Sequence, residues 1–153
     1  MSAPAAFRLA TADDVPAIVA LLSDDVLGRT RESAPDDPLY ARAFAEIEAN
    51  PIHELWVAVA EDGTLIGCLQ LSFLRGLSRR AALRALIEGV RVKAGARGQG
   101  LGRWFIGEAI ARARARGASL VQLTTDKSRV EAHRFYESLG FAATHEGMKM
   151  KLE

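Results

Sequence analysis

Two hydrophobic periods alternate along this chain, and the change of period maps its elements. Val15, Ile18, Val19 and Leu22 fall on one face of a 3.6-residue repeat, which predicts a helix capped by Thr11 or Asp13 with Pro16 in its first turn. A short strand, FRLA at 7–10, precedes it. The run SDDVLGRTRESAPDDPL is rich in turn formers and predicts a long irregular loop; LYARAFAEIEAN predicts a second helix, stopped at Asn50-Pro51. From Glu54 the pattern turns β-rich. ELWVAVAE and TLIGCLQLSF are joined by Asp62-Gly63, a strong hairpin signal, and ALIEGVRV is apolar enough to predict a central strand.

The second half returns to helical spacing. Ile106, Ile110 and Ala113 share a face of a helix from about Leu101 to Arg116, with Gly117 as its stop. SLVQLTT predicts a strand. A further helix opens with the capping-box pattern of Ser128 and Glu131, carries a stripe of Ala132, Phe135/Tyr136 and Leu139, and ends at Gly140. FAATH and GMKMKLE predict a closing β-hairpin. The order β-α-α-β-β-β-α-β-α-β-β predicts a single α/β (α+β) domain over residues 1–153, with residues 1–5 as a flexible tail.

Composition narrows the function classes. A chain of 153 residues, 49% apolar and 25% charged, has the makeup of a globular domain with its own core. A net charge of +1 gives no global case for nucleic acid or an anionic membrane, and no apolar run reaches the ~18 residues of a span. Cys68 is the only cysteine, so an internal disulfide and a cysteine-based zinc site are excluded; His53 and His145 show no metal-ligand spacing. With no secretory pattern at the N-terminus, a reducing, cytoplasmic compartment is expected. Cys68 is expected to be packed, and His133 to be an exposed helix residue.

One stretch breaks both periods. ARGQGLGR, residues 96–103, places alternating glycines between a strand and a helix N-terminus, with Arg97 and Arg103 at its ends. Bare backbone there lets an anion reach N–H groups that the helix dipole polarises, or else serves tight packing at the helix entry. It is neither a Walker loop, which needs Lys-Ser/Thr after the last glycine, nor a dinucleotide fingerprint, whose third glycine falls on Arg103.

The wider run VRVKAGARGQGLGR resembles the pyrophosphate-binding motif of the GNAT superfamily of acyl-CoA-dependent N-acyltransferases, with Arg97-Gly98-Gln99-Gly100-Leu101-Gly102 as its core. AHRFYESLGF, residues 132–141, resembles the same family's Ala-x-x-Phe/Leu-Tyr-x-x-x-Gly-Phe helix. The resemblance implies a mixed, mostly antiparallel sheet, splayed between strands four and five and flanked by about four helices. It implies acetyl-CoA as co-substrate and a primary amine as acceptor, with no metal. Arg97 to Gly102 and Arg103 would hold the cofactor's pyrophosphate; Arg129, standing where the family often has asparagine, or Ser128 would meet a phosphate or the pantetheine. The backbone of Val90, Arg91 and Val92 would pair with the pantetheine arm, and an N–H of Val90 or Val92 would face the oxyanion.

By the same resemblance, Tyr136 would protonate the departing thiolate. Glu88 lies inside the central strand, where family members often carry an acid; it is either the base that takes the amine proton or half of a structural ion pair. Uninterrupted alternation puts Glu88 on one face with Val90 and Val92, and Arg91 on the other. Arg75, Arg79, Arg80 and Arg84 form an acid-free cluster before that strand, either drawing in an acceptor with a carboxylate or phosphate or simply solvated. Arg112, Arg114 and Arg116 are expected to favour a helix C-terminus rather than nucleic acid. The rival to an acetyltransferase is a non-catalytic acyl-CoA sensor or scaffold, which has no use for Tyr136. The identity of the acceptor and any homodimer are not legible.

Overall fold

The computed structural model describes residues 4–25, 27–98 and 100–153. Five strands form one sheet in the order β1-β2-β3-β4-β5: β1 (Pro4–Leu9), β2 (His53–Ala60), β3 (Leu65–Arg75), β4 (Leu83–Val92) and β5 (Leu120–Leu123). The first four pair antiparallel, while β5 runs parallel to β4. A parallel neighbour needs a crossover, which the long helix α5 (Leu101–Ala115) supplies. Four residues of β5 cannot cover the ten of β4, so the far end of β4 runs past its neighbour. β1 begins at Pro4, inside the segment expected as tail; residues 1–3 lie outside the described residues.

Strand alternation gives the sheet two working faces. On one, Val57, Val59 and Cys68 are buried under α1 (Val15–Ser23) and α3 (Pro38–Ala49), where Val15, Ile18, Val19, Leu21 and Phe44 close the core. The buried stripe of α1 thus runs through Leu21, leaving Leu22 half-buried. Neither Thr11 nor Asp13 caps α1, whose N-cap is Asp14: a 3-10 turn over Ala12–Asp14 intervenes, and Thr11 caps that turn, its backbone N–H donating to Asp14 at 2.7 Å. On the other face α5 buries Leu101, Phe105, Ile106, Ala109 and Ala113, and Phe7 stacks on Trp56 at 4.4 Å.

Six α-helices are found among the described residues, against the four expected, because two are single turns inside predicted loops. α2 (Gly28–Arg31) starts where Gly28 passes Leu22; a Cβ there would lie 1.9 Å from the Leu22 carbonyl oxygen, so only glycine fits. α4 (Ser78–Ala81) is a left-handed turn, with φ of 54°, 61° and 57° at Arg79, Arg80 and Ala81. Each such residue costs about 1 kcal/mol or more.

The alternating arginines stand at the C-terminal end of α5 as expected, Arg112 and Arg114 in its last turn and Arg116 at its C-cap. Two of them also clamp Glu54, buried on β2: Arg112 at 2.7 Å and Arg116 at 2.6 Å. Arg116 also lies over the Phe73 ring, 4.2 Å from its centre. Burial works to raise the Glu54 carboxyl, but hydrogen bonds from Arg112 and the Trp56 indole, with the charges of Arg112 and Arg116, outweigh it and hold the group below the usual carboxylate range.

The chain divides into two compact units, Met1–Gln122 and Leu123–Glu153. The second contains α6 (Val130–Ser138), whose stripe residues Ala132, Phe135, Tyr136 and Leu139 are half-buried. Its expected capping box does not form. Arg129 is the N-cap, and the Ser128 hydroxyl instead donates to Asp126 at 2.7 Å in a tight local turn. Residues 141–153 contain no strand, so the predicted closing hairpin is not formed; Met148, Met150 and Leu152 alternate as in a strand yet stand 94%, 84% and 91% exposed.

Candidate active site

β4 carries the site residues, and its register overturns the simple alternation. Gln70 on β3 faces Glu88, while Cys68, two residues earlier, faces Arg91, three residues later. The extra residue is a bulge built on Gly89, whose φ of +61° is a left-handed conformation that glycine adopts without strain. Glu88 and Arg91 therefore share the α1 face, and Val92, opposite Gly67, lies on the α5 face. An isolated glycine in a strand pattern was the available signal of this bulge.

Around the bulge lies a cavity of about 320 Å³, lined by Ile18 and Leu22 of α1, Leu55 of β2, Cys68 and Gln70 of β3, and Glu88 and Gly89 of β4. Ile18 and Cys68 are its deep residues, whereas Glu88 and Gly89 are exposed at its mouth. Leu22 overhangs the bulge: its Cδ2 is 3.8 Å from where a Cβ on Gly89 would stand. Cys68 is packed, as expected, with 1% of its surface exposed; burial pushes its thiol up to about 12, and the thiol points at the Gly89 carbonyl, 3.6 Å away.

Arg91 is tied to the α1 side rather than free for a ligand. Its Nε stands 3.2 Å from Asp25 Oδ2, with both side chains mostly buried, and Asp25 also accepts the Gly28 N–H that opens α2. The Arg91 Nη1 donates to the Val90 carbonyl at 2.8 Å, so this arginine braces the bulge from both sides.

Beyond the far end of β4 the glycine loop combines two positive-φ glycines with the start of α5. Gly98 and Gly100 have φ of +81° and +76°, and a Cβ on either would meet nothing within 4 Å. Packing does not require glycine there; the positive φ does, and open space lies beside both glycines ahead of α5. Gly100 is the N-cap, with Leu101 buried behind it and Gly102 and Arg103 in the first helical turn. Arg97 folds back to donate to the Val92 carbonyl at 3.1 Å. Gln99 lies outside the described residues.

Tyr136 and Arg129 belong to the second unit. Tyr136 packs edge-on against Phe135 and Phe141, with centres 5.3 and 5.8 Å apart, and its carbonyl accepts the Phe141 N–H at 3.1 Å, closing α6. His133 is exposed and pairs with Glu137 at 3.0 Å, while His53 contacts the Ser72 hydroxyl at 2.8 Å. Of the four arginines before β4, Arg75 donates to the Ala81 carbonyl at 2.6 Å and Arg84 to Gln122 at 2.9 Å; Arg79 and Arg80 are exposed. No group of three metal-ligating side chains and no helix long and apolar enough to cross a membrane occurs among the described residues.

Comparison with known proteins bears on the family and the fold. Residues 17–141 match the model of the Acetyltransferase (GNAT) family. No curated protein matches the chain. Among solved structures, a transcriptional regulator from Bacillus halodurans C-125 is 48% identical, covering 96% of this chain and 99% of its own with a TM-score of 0.92. A candidate acetyltransferase from Agrobacterium tumefaciens str. C58 is 26% identical over 96% of this chain and 99% of its own, with a TM-score of 0.84. A predicted acetyltransferase from Clostridium acetobutylicum, solved with acetyl-CoA, shares the fold at 20% identity, 96% coverage of both chains and a TM-score of 0.75.

Proposed function

The chain belongs to the GNAT family of acetyltransferases, and from that premise we propose that it moves the acetyl group of acetyl-CoA directly to a primary amine. The observation that carries this reading is the pairing of two features on one strand. The bulge at Gly89 interrupts the β3–β4 register beside Glu88, and the glycine loop follows beyond the end of the same strand. The strand ends at Val92, and a 3-10 turn over Ala94–Ala96 leads from it into the glycine loop, so the loop follows the bulge along one stretch of backbone.

The loop residues fit the handle of acetyl-CoA. Gly98, Gly100 and the N-terminal turn of α5 (Leu101, Gly102, Arg103) would receive the pyrophosphate, and Arg97 would leave the Val92 carbonyl to meet it. Gln99 and Arg129 are assigned to the same phosphates on their motif positions. The backbone of Val90 to Val92 would pair with the pantetheine arm, beyond the reach of β5. A bulge N–H at Val90 would donate to the oxyanion of the tetrahedral intermediate.

The chemistry balances with two proton movements. The amine lone pair attacks the thioester carbonyl, a C–N bond forms, and the C–S bond breaks. Glu88 accepts the proton lost by nitrogen, directly or through a water, and Tyr136 donates one to the departing sulfur, giving the amide and free CoA thiol. Glu88 suits its role by standing exposed at a cavity mouth beside the bulge, and its same-face neighbour Arg91 is held by Asp25. Mixing acetyl-CoA with a panel of amines and following free thiol and acetylated product tests the proposal.

A second reading draws on the Bacillus relative described as a transcriptional regulator: an acyl-CoA sensor that binds the cofactor without turnover. The same assay separates the two, because a sensor binds acetyl-CoA and releases no thiol beyond hydrolysis.

A further inference from the structure

Resting on the acetyl-transfer reading, we infer that the acceptor is a compact primary amine carried on an uncharged, apolar stem, with its nitrogen at Glu88 and its stem in the cavity under α1. The cavity is arranged in that polarity. Its carboxylate and its bulge are at the exposed mouth, and its walls are the side chains of Ile18, Leu22 and Leu55 over the buried Cys68. Gln70 adds one neutral polar group, opposite Glu88 across the β3–β4 pair. Amine recognition therefore belongs at the rim and stem recognition inside.

Charge at the far end of the stem is disfavoured in either sign. Glu88 is the one charged side chain among the described lining residues, so a carboxylate or phosphate on the acceptor finds no lining cation. Arg91 is close but neutralised by Asp25. Arg84 shares the Glu88 face but stands four residues up β4, ~13 Å away at the strand rise, and is bonded to Gln122. Arg79 and Arg80 lie beyond it, on the left-handed turn between β3 and β4. This counts against the anionic acceptor that the arginine cluster suggested. A second ammonium fares no better, since it would leave water for a wall of leucine and isoleucine in which the neutral Gln70 is the one polar side chain besides Glu88.

The test uses acceptors that differ only at the far end: n-butylamine, 1,4-diaminobutane and 4-aminobutyrate, with ethylamine and propylamine as shorter stems. Thiol release with the full chain and saturating acetyl-CoA gives kcat/KM for each. Lengthening the stem is expected to raise kcat/KM roughly fourfold per methylene until the cavity is filled, the fold-change of burying one CH₂. The diamine and the amino acid are expected at least tenfold below butylamine. Leu22→Lys places a cation at the wall and should shift preference at least tenfold towards 4-aminobutyrate. Equal or better turnover of the amino acid or the diamine by the unaltered protein overturns the inference while leaving acetyl transfer standing. Tight acetyl-CoA binding with no acceptor acetylated removes the transfer reading, and this inference with it.

Discussion

Arg91 stands on the same face of β4 as Glu88, three residues away, because the bulge at Gly89 inserts one residue between them. The bulge turns a strand that would alternate regularly into a platform with an acid at a cavity mouth and a braced arginine behind it. Gly89→Ala should cost ~1 kcal/mol, since the added Cβ has room beside Leu22 and the penalty is conformational. Turnover should fall by a factor well beyond that stability loss. Urea unfolding paired with steady-state rates measures both; unchanged turnover would detach the bulge from the chemistry.

The glycine loop makes the complementary prediction for binding. At Gly100 a side chain meets no neighbour, so Gly100→Ala acts through its φ of +76° and through the open space its Cβ would enter. Calorimetry with CoA should show Kd raised about tenfold, matching ~1.4 kcal/mol, with a small change in Tm. An unaltered Kd would mean that the cofactor phosphates do not lie against this loop.

Acid should act on the fold through Glu54. Its carboxyl is lower in the folded protein than in the unfolded chain, so its stabilisation is complete above the ordinary carboxylate range near ~4.3 and is lost as pH falls through the lower folded value. Glu54→Gln should cost about 2 kcal/mol at neutral pH, because Arg112 and Arg116 lose a charged acceptor. Its stability should also fall less steeply below pH 5 than that of the unaltered protein. Chemical denaturation at a series of pH values compares the two slopes.

Those three residues also show where sequence reasoning stops. The helical stripe of α1, the Asp62-Gly63 turn and the glycine loop are local patterns, legible because neighbouring residues in sequence set them. The side on which Arg91 points depends on which β3 residues it faces, and Arg112 and Arg116 find Glu54 some sixty positions back in the chain. A lone glycine in ALIEGVRV was the one clue to the first, and nothing local signals the second. The left-handed turn at Arg79–Ala81 has no glycine to announce it. The closing hairpin shows the converse: GMKMKL has a strand's alternation, but a strand exists only where a partner strand pairs with it.

Tyr136 is assigned by its place in the AHRFYESLGF motif, so its role needs a direct test. Tyr136→Phe keeps the ring that packs against Phe135 and Phe141 and removes only the hydroxyl. Single-turnover transfer should slow about 10²-fold, the usual contribution of a positioned acid, with CoA affinity unchanged. A full single-turnover rate would remove Tyr136 from the reaction.

The most direct test of the whole account is a transfer assay that follows CoA thiol and acetylated amine together, for the unaltered protein and for Glu88→Gln. The account predicts one thiol released per amide formed, dependence on the amine, and a Glu88→Gln variant that binds acetyl-CoA normally but turns over at least tenfold more slowly. Normal acetyl-CoA binding with no amide formed from any amine would contradict it.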